Sequence, residues 1–130
     1  MTRIALVAMA LVLSACSDHA STDNQALHRA IVDGSSGAEV TFTATALNDP
    51  VQSGDHERFS VRTATGEVLE VDHNTRLAQW VPFHKGDALV IQGELYIDPG
   101  PQYGVHCTHA QTSGGCPNPG WIEYNSNYYE

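Results

Sequence analysis

From residue 39 onward, apolar side chains recur at every second position, and that period limits the fold more than any other feature. Val40, Phe42, Ala44 and Ala46 alternate with Thr41, Thr43 and Thr45, as on a strand with one face buried. His56 to Thr63 alternates again, with Phe59 and Val61 inward and Arg58, Ser60 and Arg62 outward. Thr65-Gly66 is a tight turn, and Glu67 to His73 pairs back as a third strand. Residues 74–86 break the alternation, and Trp80, Val81 and Phe83 around Pro82 predict a packed connection. Asp87 to Ile97 is a long strand with Leu89, Ile91, Leu95 and Ile97 on one face. Gly93 interrupts that face, as a bulge or bend would. Tyr103 to His109 is a fifth strand, and Trp121 to Tyr129 folds back around Asn125-Ser126-Asn127. Three strands, a longer connection, a strand broken by Gly and a closing strand predict an all-β fold. The expected form is a small OB-like antiparallel barrel of five to six strands, with an open antiparallel β-sandwich as the alternative.

The N-terminal part obeys a different pattern. Thr2-Arg3 is a short basic flank, and Ile4 to Leu13 is an unbroken run of apolar residues. That run is too short for a spanning helix, which needs about 20 residues, and it reads as a secretory signal peptide over 1–15. Leu13-Ser14-Ala15-Cys16 looks like a bacterial lipobox, which makes Cys16 the expected lipid attachment point. Ordinary cleavage near Ala15 is the alternative. Several acyl chains on one Cys hold a protein to a membrane more firmly than a single chain does. Serine at position 17 favours the outer membrane under the sorting rule of enteric bacteria, so the expected location is the bacterial envelope, facing the periplasm. Residues 16–35 supply the lipidated Cys, a polar tether and a short helix capped by Asp23, with Ala26, Leu27, Ala30 and Ile31 on one face. Residues 36–130 form the β domain.

Charge narrows the partners. Lys and Arg total 6 against 15 Asp and Glu, a formal charge of −9 over 130 residues. Such a surface repels phosphate backbones, so no nucleic-acid partner is expected. No cofactor motif is present, and none is expected.

Asp55-His56-Glu57-Arg58-Phe59, Asp72-His73-Asn74 with Leu77-Ala78, Gly86-Asp87 and Gly93-Glu94-Leu95-Tyr96 carry a resemblance. Val105-His106, Thr108-His109, Gly120-Trp121-Ile122 and Tyr129 extend it. Over residues 36–130 the chain resembles a bacterial family catalogued as domain of unknown function 3465. The resemblance implies a small exported protein and no particular activity. The chain departs from that pattern at Cys107 and Cys116, where an aromatic and a polar residue are expected.

Those two cysteines, in an oxidising compartment, are best read as a disulfide. Its ten-residue ring is worth roughly 2.5–3 kcal/mol on the chain-entropy estimate. A metal site built from the two thiols and nearby histidines, or free buried thiols, are the rivals. Four of the seven histidines, His56, His73, His106 and His109, lie in the landmark segments. Packing and hydrogen bonding account for them most simply, with a metal site of His106, His109 and His73 as the alternative. His106 and His109 stand three apart, on opposite faces of a continuous strand, and share an ion only if the strand ends or bulges between them. A catalytic reading would place His56, Glu57 and Arg58 beside Asp72 and His73, in the manner of an OB-fold phosphodiesterase. So few cations nearby argue against a phosphate substrate. The function expected is non-catalytic binding of a peptide, a glycan or another envelope protein. The candidate contacts are His56, Arg58, His73, Asn74, His106 and His109 with the aromatics Tyr96, Tyr103, Trp121 and Tyr124, read as exposed.

Overall fold

A computed structural model describes residues 19–130. The expected signal peptide and the lipid attachment at Cys16 lie outside the described residues. The elements are α1 (Asn24–Val32), β1 (Glu39–Ala46), β2 (Val51–Ser53), β3 (His56–Arg62), β4 (Val68–Asn74), β5 (Ala88–Asp98), β6 (Gln102–His106), β7 (Trp121–Tyr124) and β8 (Asn127–Tyr129). No described helix is long and apolar enough to cross a membrane.

The alternation in the sequence becomes a closed barrel of five strands. β1 pairs with β5 along seven positions, from Glu39↔Glu94 to Thr45↔Ala88, and with β3 at Thr45↔Arg62 and Ala46↔Val61. β3 continues to β4, β4 to β6, and β6 to β5, which closes the circuit. The barrel is the all-β form the periodicity predicts, with one difference of direction: β4 and β6 run parallel. Two strands separated in sequence by the 75–87 connection and all of β5 have no hairpin to reverse them.

Three local departures have plain causes. The stretch between β1 and β3, where the alternation predicts no strand, contains β2, which pairs back on β3 through Gly54 at φ 58°. The fifth strand stops at His106 and not His109, because Cys107 adopts φ 56° and leaves the extended conformation. The long β5 carries its Gly93 where a Cβ would lie 2.4 Å from the His106 carbonyl oxygen, so the glycine permits close approach of β6.

The core is filled from the inward positions of every barrel strand, including Val40, Phe42, Phe59, Val61, Leu69, Val71, Leu89, Ile91, Leu95 and Val105. Its two ends are closed differently. At the β3–β4 turn, α1 inserts the fully buried Leu27. Asn24 holds the helix to β1 by donating to the Thr43 carbonyl at 3.0 Å and accepting from its N–H at 2.9 Å. His28 Nδ1 meets Glu67 Oε1 at 2.5 Å. Asp23 caps the helix, accepting from the Ala26 N–H. At the opposite end the 75–83 connection inserts Val81 and Phe83, whose ring lies 4.5 Å edge-on to Phe59. Trp80, expected in that packing, is instead 38% exposed.

Candidate functional site

Register aligns the outward polar residues of five strands into one row. Arg58 on β3 lies opposite Asp72 on β4. His106 on β6 lies opposite Glu94 on β5, and Glu94 lies opposite Glu39 on β1. Because Val71 pairs with Val105 on the parallel strands, the Asp72 row continues into His106. The row therefore reads Arg58, Asp72, His106, Glu94, Glu39.

Asp72 is its best-connected member. Its Oδ1 accepts from Arg58 Nε at 2.7 Å and its Oδ2 from the Tyr96 hydroxyl at 2.6 Å. Glu70 lies 3.4 Å from the same guanidinium nitrogen. The bond to Asp72 raises the Arg58 pKa further above its already high ordinary value. Burial, and then Asp72, raise that of the Tyr96 phenol, so it stays a donor. The Tyr96 ring reaches Asp72 by crossing Gly104, where a Cβ would stand 2.0 Å from Tyr96 Cζ. A side chain at 104 would displace the ring. At the other end of the row, His106 Nε2 is 3.3 Å from Glu94 Oε1. Desolvation and, after it, the facing Glu94 carboxylate push Glu39 up to about 7.

Beside Glu70 an open groove of about 620 Å³ runs between the β3–β4 turn and the β5–β6 turn. Ser60, Val68, Glu70, Pro101, Gln102 and Tyr103 line it. A second crevice of about 410 Å³ opens where β1 and β3 part, among Thr43, Thr45, Arg62 and Thr63, away from the polar row.

The inward face holds a separate polar group. Glu57 and His73 pair across β3 and β4 and are both fully buried. His73 Nε2 donates to the Gln79 carbonyl at 2.8 Å, which leaves Nδ1 to accept from the Thr108 hydroxyl at 2.7 Å. Burial lowers its pKa and keeps the ring neutral. Glu57 Oε1 accepts from the Val81 N–H at 2.7 Å, while Oε2 is buried with no partner. Burial pushes this carboxyl up to about 7, against the lowering effect of the Val81 bond.

These positions sort the expected site residues. Arg58, Tyr96 and His106 come together, and Tyr103 lies in the adjoining groove. His56 and Asn74 face each other at the end of the β3–β4 pair, where Asn74 caps the turn by accepting from the Arg76 N–H. His73 and His109 point into the protein. His109 is 3% exposed and donates from Nδ1 to the Gln111 carbonyl at 2.7 Å. The metal set His106, His109 and His73 is therefore not assembled: one ring is on the surface and the others are committed to carbonyls inside. The catalytic grouping is also divided, with Glu57 and His73 inward and Arg58 and Asp72 outward. Nor do the four aromatics form an exposed face. Trp121 is buried against His19 and Tyr128, and Tyr96, Tyr103 and Tyr124 are half-buried, Tyr124 through its bond to Asp87. Among the described residues the exposed tryptophan and tyrosine rings are Trp80 and Tyr128. Ser60, Glu70, Gln102, Glu94 and Glu39 were not singled out from the sequence. Their outward parity was legible, but their alignment required the register. The expected disulfide is present, joining Cys107 to Cys116 with Cα atoms 5.4 Å apart.

A family model described as a protein of unknown function, DUF3465, matches residues 7–130. The chain belongs to the DUF3465 family. No curated protein matches the chain. The DUF3465 match includes α1 as well as the barrel, in keeping with Leu27 being part of the core. In this DUF3465 protein the outer row offers one guanidinium, several carboxylates, a phenol and an imidazole. Such a set has directed hydrogen-bond donors and acceptors, and its surplus of carboxylates repels anions.

Proposed function

We propose that this is a lipid-anchored protein of the bacterial envelope, attached through Cys16 to the outer membrane and facing the periplasm. Its barrel binds a neutral or amino-sugar glycan without chemistry. The observation carrying the binding reading is the 620 Å³ groove beside the Arg58–Asp72–Tyr96 network. Carboxylate, guanidinium, amide and hydroxyl groups around one phenol suit hydroxyl-rich rings, which present polar edges and apolar faces. OB-type barrels bind oligosaccharides on the corresponding face. A phosphodiester is disfavoured, since the one cation of the network is shared by Asp72 and Glu70. The envelope reading rests on the signal-peptide pattern and the lipobox.

Two measurements test these parts separately. Calorimetric titration with N-acetylglucosamine oligomers should give binding that Arg58→Ala and Tyr103→Ala each weaken about tenfold, a loss of about 1.4 kcal/mol. Binding of unstructured peptides with no response to the oligomers would replace the glycan by a peptide ligand. Cys16→Ser should shift the protein from the membrane fraction to the soluble periplasm. Persistent membrane association of that variant, at unchanged mass, would overturn the anchor.

A further inference from the structure

One corner of the outer row brings metal-type donors together outside the binding groove. The ligand atoms of Glu94, His106 and Cys107 all lie within 4.8 Å of one another. Three separate features bring them there. Glu94 and His106 are cross-strand partners on β5 and β6. Cys107 follows directly, and on an unbroken strand it would face away from His106. Its φ of 56° ends the strand at that point. Cys116 is brought to the same place by the disulfide, its Sγ 2.05 Å from that of Cys107.

In the oxidised chain this is not a metal site. A disulfide sulfur is a poor donor, since the thiolate is the form that binds metals. Glu94 and His106 then simply share a hydrogen bond. We propose that reduction of the Cys107–Cys116 disulfide converts this corner into a site for one thiophilic divalent cation of the zinc type, held by Cys107, Cys116, His106 and Glu94. Two sulfurs, an imidazole nitrogen and a carboxylate oxygen are a donor set that a tetrahedral zinc-type ion accepts. The disulfide thereby acts as a lock on the site. A dithiol reductant breaks the S–S bond: two protons and two electrons pass from it to the sulfurs of Cys107 and Cys116, and its own sulfurs close into a disulfide. The cation then displaces the protons of both thiols to solvent, together with any proton on His106. The reductant reaches the bond from the side of Cys116, which is half-buried in a loop whose Ser113, Gly114 and Gly115 are exposed. Cys107 itself is 4% exposed. This site does not depend on the glycan reading, which concerns the groove beyond Tyr96.

The test uses the full chain in detergent and cobalt(II), whose absorption reports sulfur ligation and tetrahedral geometry. After anaerobic reduction by a phosphine and removal of excess reagent, one cobalt per chain should bind with a sulfur-to-cobalt charge-transfer band, and zinc should displace it. The oxidised chain should show no such band. Cys116→Ala frees the Cys107 thiol without reductant, and circular dichroism reports whether the barrel persists. In that folded variant cobalt should still bind through Cys107, His106 and Glu94. His106→Ala or Glu94→Gln in the reduced chain should weaken cobalt at least tenfold. Equal binding by oxidised and reduced chains would overturn the proposal. So would unchanged affinity in His106→Ala, or a folded Cys116→Ala chain with no cobalt–sulfur band.

Discussion

Glu57 and His73 face each other inside the barrel, and burial moves their titrations so that they act on stability with opposite sign. Glu57 is raised from an ordinary 4.5 to about 7. Below pH 4.5 it is protonated whether the chain is folded or unfolded, and its contribution is full. Between 4.5 and 7 the unfolded chain gives up a proton that the folded chain keeps, so stability falls as pH rises. His73 is lowered from 6.5 by burial. Its contribution is full above 6.5 and declines as pH falls below that value, because the unfolded chain takes up a proton the buried ring refuses. Glu57→Gln should therefore remove a loss of about 1–3 kcal/mol between pH 5 and pH 8, the cost of an unsatisfied buried polar group. Thermal unfolding at the two pH values measures it, and an unchanged difference would mean that Glu57 ionises freely. Glu39 is raised to about 7 as well and acts in the same direction, so a residual slope in the variant belongs to it. His73→Ala strands the Gln79 carbonyl and the Thr108 hydroxyl and should cost at least as much. Arg58→Ala removes only partly exposed ion pairs, at about 1 kcal/mol or less.

At the scale of elements, two attachments hold parts of the chain that have little structure of their own. The loop 107–116 is joined by its disulfide and by paired backbone bonds between Ser113 and Cys116. Cys107→Ala/Cys116→Ala should lower stability by roughly 2.5–3 kcal/mol on the ring-closure estimate, which is several degrees in melting temperature. A variant that melts with the parent would show the loop to be ordered by its hydrogen bonds alone. Helix α1 is nine residues long, too short to persist in isolation, and it depends on Leu27 in the core. Leu27→Ala should cost about 2–5 kcal/mol in urea unfolding and detach the His28–Glu67 contact. That contact has its own pH signature. Burial opposes ionisation of Glu67, yet bonds from Thr63, Thr65 and His28 hold its carboxyl down at about 2. Its contribution is present above pH 4.5 and lost as pH falls from there toward 2.

For the whole molecule these windows combine. Glu57 and Glu39 weaken the fold as pH rises above 4.5, and a formal charge of −9 at neutral pH adds self-repulsion. His73 and Glu67 weaken it on the acid side. The melting temperature should therefore peak on the acid side of neutrality, and Glu57→Gln should move the peak upward in pH. A maximum at pH 8 in the wild type would contradict these assignments. The barrel also ties distant segments together. β4 and β6 meet across the 75–87 connection and β5, and β1 closes on β5. Pairings of that range form late and slowly.

Strand parity was legible in the sequence because it is a local property. A side chain at Val40, Phe59 or Leu89 points inward once its neighbours make a half-buried strand, wherever that strand lies. The Asp23 helix cap and the Asn125-Ser126 reversal are local in the same way, and the disulfide was legible because the expected export puts the two cysteines in an oxidising compartment. The row from Arg58 to Glu39 was not legible, since its members are separated by up to 67 positions (39 to 106) and align only through four strand registers. The fates of the histidines were decided the same way. A single left-handed residue at Cys107 ended β6, left His106 on the surface and allowed His109 to turn inside. Periodicity determines which face a residue occupies; only the closing of the barrel determines which residues share that face.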